Sequence, residues 1–232
     1  MTDINMDEQL ERIRRAYDNT VAQYHQNIDP FADVPAAFKE SENFKSLIKE
    51  AEKSCNSGAP DVKEYLAPAP GQKFLDVGCS ANLANYRLDA WPCEFYGIDI
   101  SSKLIHAMTG FVKRNQLSIG GLWVAESADL PFADCFFHLA SMIGVLEYCT
   151  LPYIEKSLQE LYRVLKPKAR VVLDIPNLNH DLCQTMFELE RYLKRPNIPK
   201  ERSAFEAVLN PFFSIYRVDD SQVMLKYFLK KL

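Results

Sequence analysis

The feature that most constrains this chain is residues 73–85, KFLDVGCSANLAN, where a short apolar run gives way to a loop of small residues and then to a helix. Phe74, Leu75 and Val77 have the character of a short buried strand. Gly78, Cys79, Ser80 and Ala81 have side chains small enough to let backbone N–H groups approach a ligand, as a nucleotide-cofactor loop requires. Asp76 stands at the carboxyl end of the strand. About twenty residues later a second apolar run, 95–98, ends in Asp99. Two strand-ending acids at that separation predict one βαβ unit with a ribose-binding carboxylate after its second strand.

The alternation continues well beyond this unit. Strands are predicted at 74–77, 95–98, 122–125, 137–143 and 170–175, with helices at 61–66, 83–89, 102–115 and 153–165. This is the pattern of an α/β fold with a doubly wound, mostly parallel sheet. Ligands of such sheets bind beyond the carboxyl ends of the strands, which directs attention to residues 76–82, 99–100, 128–130, 143–148 and 175–180. Past Pro176 the alternation stops: helices are predicted at 181–193 and 203–209, then an antiparallel hairpin of 212–218 and 222–230 around Asp219-Asp220. Ahead of it, Leu10, Ile13, Tyr17, Val21 and Tyr24 recur at helical spacing over 7–26, and a second helix is predicted at 41–53. Neither has a strand to accompany it. Residues 1–60 therefore read as an N-terminal helical cap, or lid, over a main domain of residues 61–232.

Composition narrows the function classes. With 47% of its 232 residues apolar, the chain has ample material for a core. A net charge of -4 and the lack of a long basic run argue against a nucleic-acid partner. No eighteen-residue apolar segment is present, and the charged N-terminus lacks a signal core, so the expected location is cytoplasmic with no membrane partner. The six cysteines, Cys55, Cys79, Cys93, Cys135, Cys149 and Cys183, form no CxxC pair, which predicts reduced thiols rather than a metal site or disulfide framework. Cys79 reads first as a small residue that fits its loop, although a position near a helix N-terminus would also favour a thiolate.

Taken in order, LDVGCSAN, GIDIS, ADLPF with the following FFHLA, GVLEYC, and ELYRVLKPKARVVLDIP resemble the motifs of the class I S-adenosylmethionine-dependent methyltransferases, in particular the small-molecule, methyltransferase type 11-like branch. The resemblance covers about residues 72–176. It implies a Rossmann-like seven-stranded sheet with an antiparallel C-terminal hairpin, S-adenosylmethionine as cofactor, and a small-molecule substrate. It also implies residue roles. Gly78, Cys79, Ser80 and Asn82 would pack against the methionine part of the cofactor, and Asp76 would orient that loop or the ammonium group. Asp99 would bind the ribose hydroxyls, Ile100 and Leu130 would sandwich the adenine, Ala128 and Asp129 would read its polar edge, and Ile143 and Gly144 would offer backbone to the methionine end. Each has an ordinary structural reading beside it: Asp99 and Asp129 as helix caps, Gly144 as a turn residue.

Some positions depart from the family pattern. Of three alternating glycines only Gly78 is present, with Ser80 and Asn82 in place of the others, and Asn82 is expected to supply the left-handed backbone that a glycine would. His138 replaces an acid and is expected to serve packing or the surface. Lys168-Ala169 replaces a glycine pair. The loop substitutions sustain an alternative, a catalytically inactive methyltransferase-like binding or regulatory protein. A nicotinamide-dependent dehydrogenase would need glycines where Ser80 and Leu83 stand.

Methyl transfer from a sulfonium needs no acid for its leaving group, and needs a base only where the nucleophile must lose a proton. The catalytic candidates are His180 and Tyr24. Tyr17, Tyr24, Glu147, Tyr148 and Asn177 are the substrate-binding candidates, with YDNTVAQY similar to the lid helix of small-molecule members. The tyrosines read equally as core aromatics anchoring the cap, and His180 as a polar loop residue. Phe31, Phe38, Phe44, Phe187, Tyr192, Phe205, Phe212 and Phe213 have two readings as well: they close an apolar pocket, or they pack cap and tail against the sheet. The acceptor atom and the oligomeric state are not legible in the sequence.

Overall fold

The computed structural model describes residues 5–56 and 59–232, with the side chains of residues 53–58, Cys55 among them, outside the description. Its centre is a seven-stranded sheet in the order β3-β2-β1-β4-β5-β7-β6. Strand β1 (Lys73–Val77) lies parallel between β2 (Glu94–Asp99) and β4 (Phe137–Met142). Parallel strands β3 (Gly121–Val124) and β5 (Leu165–Pro176) extend the sheet on either side. Strand β7 (Met224–Lys231) runs antiparallel to β5, and β6 (Phe213–Asp219) pairs antiparallel with β7 at the edge. The register sets Val77 level with Ile98 and Met142, and Met142 level with Leu173. Gly78, Asp99, Ile143 and Asp174 therefore leave the sheet along one rim. Chain order reverses between β1 and β4, so that rim holds the switch point at which open α/β sheets bind ligands.

Alternation of side chains across the pleat divides the core in two. Leu75, Val77, Ile98, Ala140 and Leu173 face one layer, where helix α7 (Leu151–Val164) buries Ile154, Leu158, Leu161 and Val164. Phe74, Phe95, Leu139, Val172 and Phe228 face the other, against α4 (Pro60–Leu66) and α6 (Ser102–Arg114). Helix α6 begins where Ser101 Oγ accepts the Leu104 N–H at 3.1 Å. At the amino ends of the strands His138 accepts the Lys73 N–H through Nδ1 and contacts Lys166 Nζ at 2.9 Å through Nε2, the packing role its position predicts.

The N-terminal segment supplies α1 (Met6–His25), α2 (Ala36–Lys39) and α3 (Glu42–Asn56). Helix α1 lies on α6. Helix α3 meets α8 (Cys183–Tyr192) through an apolar cluster of Val34, Phe44, Leu47 and Leu189, joined by Phe31, Phe38 and Tyr192. Phe205, on α9 (Arg202–Leu209), packs on Tyr227 at 5.2 Å, and Phe213 lies against Tyr162. These aromatic rings serve packing. No helix among the described residues is long and apolar enough to cross a membrane.

Three local expectations differ from the structure. The helix predicted at 83–89 is two pieces, α5 (Asn82–Asn85) and a 3-10 turn at Leu88–Ala90, because Arg87 between them adopts a left-handed φ of 51°. The fifth strand starts earlier than predicted, at Leu165, and Lys168 with φ 64° absorbs the bend that the family's glycine would take. The left-handed residue of the cofactor-type loop is Ser80 (φ 40°), while Asn82 opens α5 in helical conformation.

Close packing under the loop gives a direct test. A Cβ at Gly97, in the middle of β2, would sit 2.8 Å from Cys79 Sγ and 2.8 Å from Leu122 Cδ2. Gly97→Ala is expected to destabilise the fold by about 1–3 kcal/mol through overpacking, read as a lower urea midpoint; an unchanged midpoint would mean that the loop is not packed on the strand this way.

Candidate functional site

The loop after β1 is fixed from below by Asp76. Its Oδ1 accepts the Ser141 hydroxyl from β4 at 2.6 Å, and its Oδ2 accepts the Asn82 side-chain N–H at 3.1 Å. Asn82 thus ties the start of α5 back to the strand it left, a bond that glycine could not make. Gly78 (φ 71°) admits no side chain, since a Cβ there would lie 2.3 Å from Val145 Cγ2. Cys79 points away from the rim into the core over Gly97. Burial, and then the charges of Asp76 and Asp99, push its thiol well above the usual range, which overturns the thiolate reading.

Two cavities meet at this rim. The loop-side cavity, ≈ 250 Å³, is lined by Gly78, Ser80, Asn82, Asp99 and Ile100 on the sheet side and by Leu10, Ile13 and Tyr17 of α1 above. The cap-side cavity, ≈ 350 Å³, lies toward α3 and the start of β7, and its walls include Leu47, Phe74, Leu88, Trp91, Met186 and Val223. Asn82, Ile143 and Gly144 line both, so the two spaces share a wall at the strand tips.

Asp99 is 6% exposed and lines the loop-side cavity. Its Oδ2 accepts the Ser80 N–H at 2.9 Å and its Oδ1 the Ser101 N–H at 2.8 Å. An ionised carboxylate offers about four lone-pair sites, so acceptor capacity remains on both oxygens. Burial pushes its pKa up, against the pull of those two amides. The cap of α6 is Ser101 rather than Asp99, and Ser101 Oγ in turn donates to Asp18 of α1, which fastens the helix beside the acid.

A second set of polar contacts closes α1 over the loop-side cavity. The Tyr148 hydroxyl donates to Glu190 Oε2 at 2.9 Å, and so accepts from the Tyr17 hydroxyl 3.2 Å away. Glu190 pairs with Arg195 at 2.9 Å, and the Arg195 guanidinium lies 4.7 Å over the Tyr17 ring. Burial pushes Tyr17 up to about 12, so it is a hydrogen-bond donor at neutral pH.

The cap-side cavity is acidic. Asp76, Glu147 and Asp174 line it, and each is buried. Asp174 Oδ1 accepts the Gly144 N–H at 2.9 Å, whereas Glu147 Oε2 has no hydrogen-bond partner. Burial first, and the neighbouring Asp174 second, push Glu147 up to about 8; burial pushes Asp174 and Asp76 up to about 6. Lys200, itself lowered to about 8 by burial, gives its ammonium to the Ile198 and Glu147 carbonyl oxygens rather than to the carboxylate.

The structure brings together only part of what the sequence singles out. Gly78, Ser80, Asn82, Asp99, Ile100, Ile143, Gly144, Tyr17 and Tyr148 line the loop-side cavity, and Glu147 and Asp76 the cap-side one. Ala128, Asp129 and Leu130 line neither. A turn closed by the Asp129 N–H on the Glu126 carbonyl presents Ala125, Glu126 and Ser127 instead, leaves Asp129 exposed, and sends Leu130 into the core. Tyr24 is 79% exposed, with its ring against His25, because α1 outruns the body beneath it. His180 lines neither cavity, and its Nδ1 accepts the Leu182 N–H ahead of α8. Asn177 is buried as a brace, donating to the Asp220 and Gln222 carbonyls at the hairpin turn. Asp174 was missed, although VVLDIP has the same strand-ending acid as FLDVG. Asp18, Glu190 and Arg195 had no local signal.

The residues of the loop-side cavity fit an adenosyl cofactor: a glycine turn that a Cβ would block, a buried carboxylate with spare lone pairs, and apolar side chains of Ile98, Ile100 and Leu10 around them.

Residues 75–173 match a methyltransferase-domain family. The chain is 29% identical over 132 residues to the ubiquinone/menaquinone biosynthesis C-methyltransferase of Ruegeria sp. (strain TM1040), covering 55% of this chain and 52% of that protein. It is 33% identical over 128 residues to the 2-phytyl-1,4-naphtoquinone methyltransferase of Trichormus variabilis, covering 53% and 55%. The chain thus spans about half the length of these curated relatives. Among solved structures, the geranyl diphosphate C-methyltransferase of Streptomyces coelicolor A3(2), in complex with Mg2+, geranyl-S-thiolodiphosphate and S-adenosyl-L-homocysteine, shares the fold with a TM-score of 0.69 at 13% identity, covering 97% of this chain and 98% of that one.

Glu147 gives the site a measurable pH signature. Its folded-state pKa, about 8, lies above the ordinary glutamate value of 4.5, so its contribution to stability is fully present below pH 4.5 and is lost as pH rises through 8. Asp174 and Glu190 face it from β5 and α8 and raise it further, while Lys200 from the following segment lowers it. Glu147→Gln removes the titration, so the variant is expected to be at least as stable as the unaltered protein at pH 8 and to show a flatter fall in melting temperature between pH 5 and 8. Parallel melting curves for both proteins would refute the buried, unpaired state of this acid.

Proposed function

We propose that this chain, whose residues 75–173 match a methyltransferase-domain family, is a class I S-adenosylmethionine-dependent methyltransferase that binds its cofactor in the loop-side cavity and methylates a small molecule held in the cap-side cavity. The observation that carries this reading is the wall common to the two spaces, Asn82, Ile143 and Gly144, which sets a cofactor and an acceptor side by side at the strand tips. The names of the relatives, quinone and naphthoquinone methyltransferases, support a small-molecule acceptor.

When bound, the cofactor supplies a methyl group on a positively charged sulfur that departs neutral, so the protein's task is to place two reactants in line and keep water out. Asp99 offers its two free lone-pair sites to the ribose hydroxyls. Gly78 and Ser80 present backbone at close range. Ala125, Glu126 and Ser127 line the cavity and would hold the base, in the role that the sequence assigned to Ala128, Asp129 and Leu130. Leu10, Ile13 and Tyr17 roof the cavity, held down by Asp18 and by the contacts of Tyr148, Glu190 and Arg195. Both departures from the family's glycines are accommodated: Ser80 takes the left-handed backbone and Asn82 bonds Asp76.

Titration calorimetry with S-adenosylhomocysteine tests the assignment. Asp99→Ala is expected to weaken binding by about ten- to a hundredfold, the range for charge-assisted hydrogen bonds, and Asp129→Ala to leave it unchanged. Unaltered affinity in Asp99→Ala would remove the ribose assignment, and absence of binding to the unaltered protein would remove the proposed function.

A further inference from the structure

The cap-side cavity holds more than a shape. Its described lining includes four acids, Glu50, Asp76, Glu147 and Asp174, and one lysine, Lys226, whose ammonium is held by Asp61 Oδ2 at 2.7 Å. Three of the acids have protein partners on at least one oxygen: Glu50 takes the Val223 N–H at 2.8 Å, Asp76 takes Ser141 and Asn82, and Asp174 takes the Gly144 N–H. Glu147 is different. It is 6% exposed, and its Oε2 is buried with no hydrogen-bond partner among the described residues. A buried acceptor left unsatisfied costs on the order of 1–3 kcal/mol, and a native fold keeps such a group where something else completes it. The rest of the wall is apolar and aromatic, with Leu47, Phe74, Leu88, Trp91 and Met186 among its members.

We propose that the cap-side cavity takes an apolar amine, bound as its ammonium cation against the Glu147 carboxylate, and that this nitrogen is the methyl acceptor. The inference rests on the proposed function and names its substrate class. A cation is favoured over a neutral or acidic head group because it relieves the repulsion among carboxylates that share a poorly solvated space, while a carboxylate would add to it. The protons balance in two steps: Glu147 releases its own proton to solvent as the ammonium binds, then the ammonium N–H bond breaks and an O–H bond forms on the Glu147 carboxylate, and the nitrogen keeps the electron pair it needs to form its bond to the methyl carbon as the carbon–sulfur bond breaks with its pair left on sulfur. Glu147 touches the substrate in this arrangement and is assigned as a catalytic residue. Its backbone sits one short turn past Gly144, on the wall that the two cavities have in common.

The test uses three probes with one apolar body and different heads: 4-phenylbutylamine, 4-phenylbutanol and 4-phenylbutyrate. The protein has two tryptophans, Trp91 in the wall of this cavity and Trp123 stacked on Tyr96, so Trp123→Phe leaves an indole that reports on the cavity alone. In that background the amine is expected to quench Trp91 fluorescence with an affinity about tenfold above the alcohol, and the carboxylate to bind weakest. Glu147→Gln is expected to remove the preference for the amine, and Met186→Tyr, which crowds the cavity without adding an indole, to weaken binding of all three. Equal or tighter binding of the alcohol or the carboxylate overturns the inference, as does an amine preference that survives Glu147→Gln. The probe series on the protein with Glu147 intact decides the matter even if that variant does not fold. S-adenosylhomocysteine titrated in parallel separates the two failures: a protein that binds it but shows no amine preference refutes only the substrate class, and one that does not bind it refutes the proposed function.

Discussion

Much of this molecule depends on one buried carboxylate. Asp76 sits under the rim with a serine hydroxyl from the next strand on one oxygen and an asparagine amide from the following helix on the other. These bonds fix where β1 ends, how β4 lies beside it, and where α5 begins. Everything at the rim is then placed relative to that point. The Gly78 turn lies against Val145 with no room for a Cβ, the Ser80 N–H reaches Asp99 across the top of β2, and Cys79 fills the space over Gly97. Burial holds Asp76 near pH 6, so the anchor depends on pH as well as on packing.

Three parallel strands carry an acid at or just before their carboxyl ends, and the protein puts each to a different use. Asp76 is held by side chains of the protein, one on each oxygen. Asp99 gives one lone pair on each oxygen to loop amides and keeps the others facing a cavity. Asp174 fixes the Gly144 turn and raises the pKa of Glu147. Register accounts for the grouping: parallel strands in step bring equivalent positions to one edge, and the low dielectric between the sheet and its cap couples groups that would ignore one another in water. Glu147 then holds its proton near neutrality without a formal partner.

How much of this was legible beforehand follows from which interactions are local. The doubly wound, mostly parallel sheet, the terminal hairpin, the glycine turn and the position of Asp76 and Asp99 at the strand ends could be read because apolar runs, small-residue loops and strand-ending acids are patterns within a few residues. What could not be read depends on long-range contacts or on backbone geometry. Ala128, Asp129 and Leu130 were displaced from the lining by one turn at Glu126, which the sequence gives no means of orienting. Tyr17 and Tyr24 share a helical periodicity, but only the first lies over the sheet, because the length of the supporting surface is a tertiary fact. Lys168 and Ser80 adopt left-handed backbone where glycine is the usual signal, so the signal was absent while the geometry was kept. Asp174 is the exception, since its pattern was present and went unused.

The roof over the loop-side cavity comes from the first two dozen residues of the described chain, which lie outside the segment that matches the methyltransferase-domain family. A version without residues 1–25 would retain the glycine turn and its acids but lack Leu10, Ile13, Tyr17 and Asp18, and so would present an open trough in place of a chamber. Expression tags or fusions joined at the amino terminus bear on the same helix.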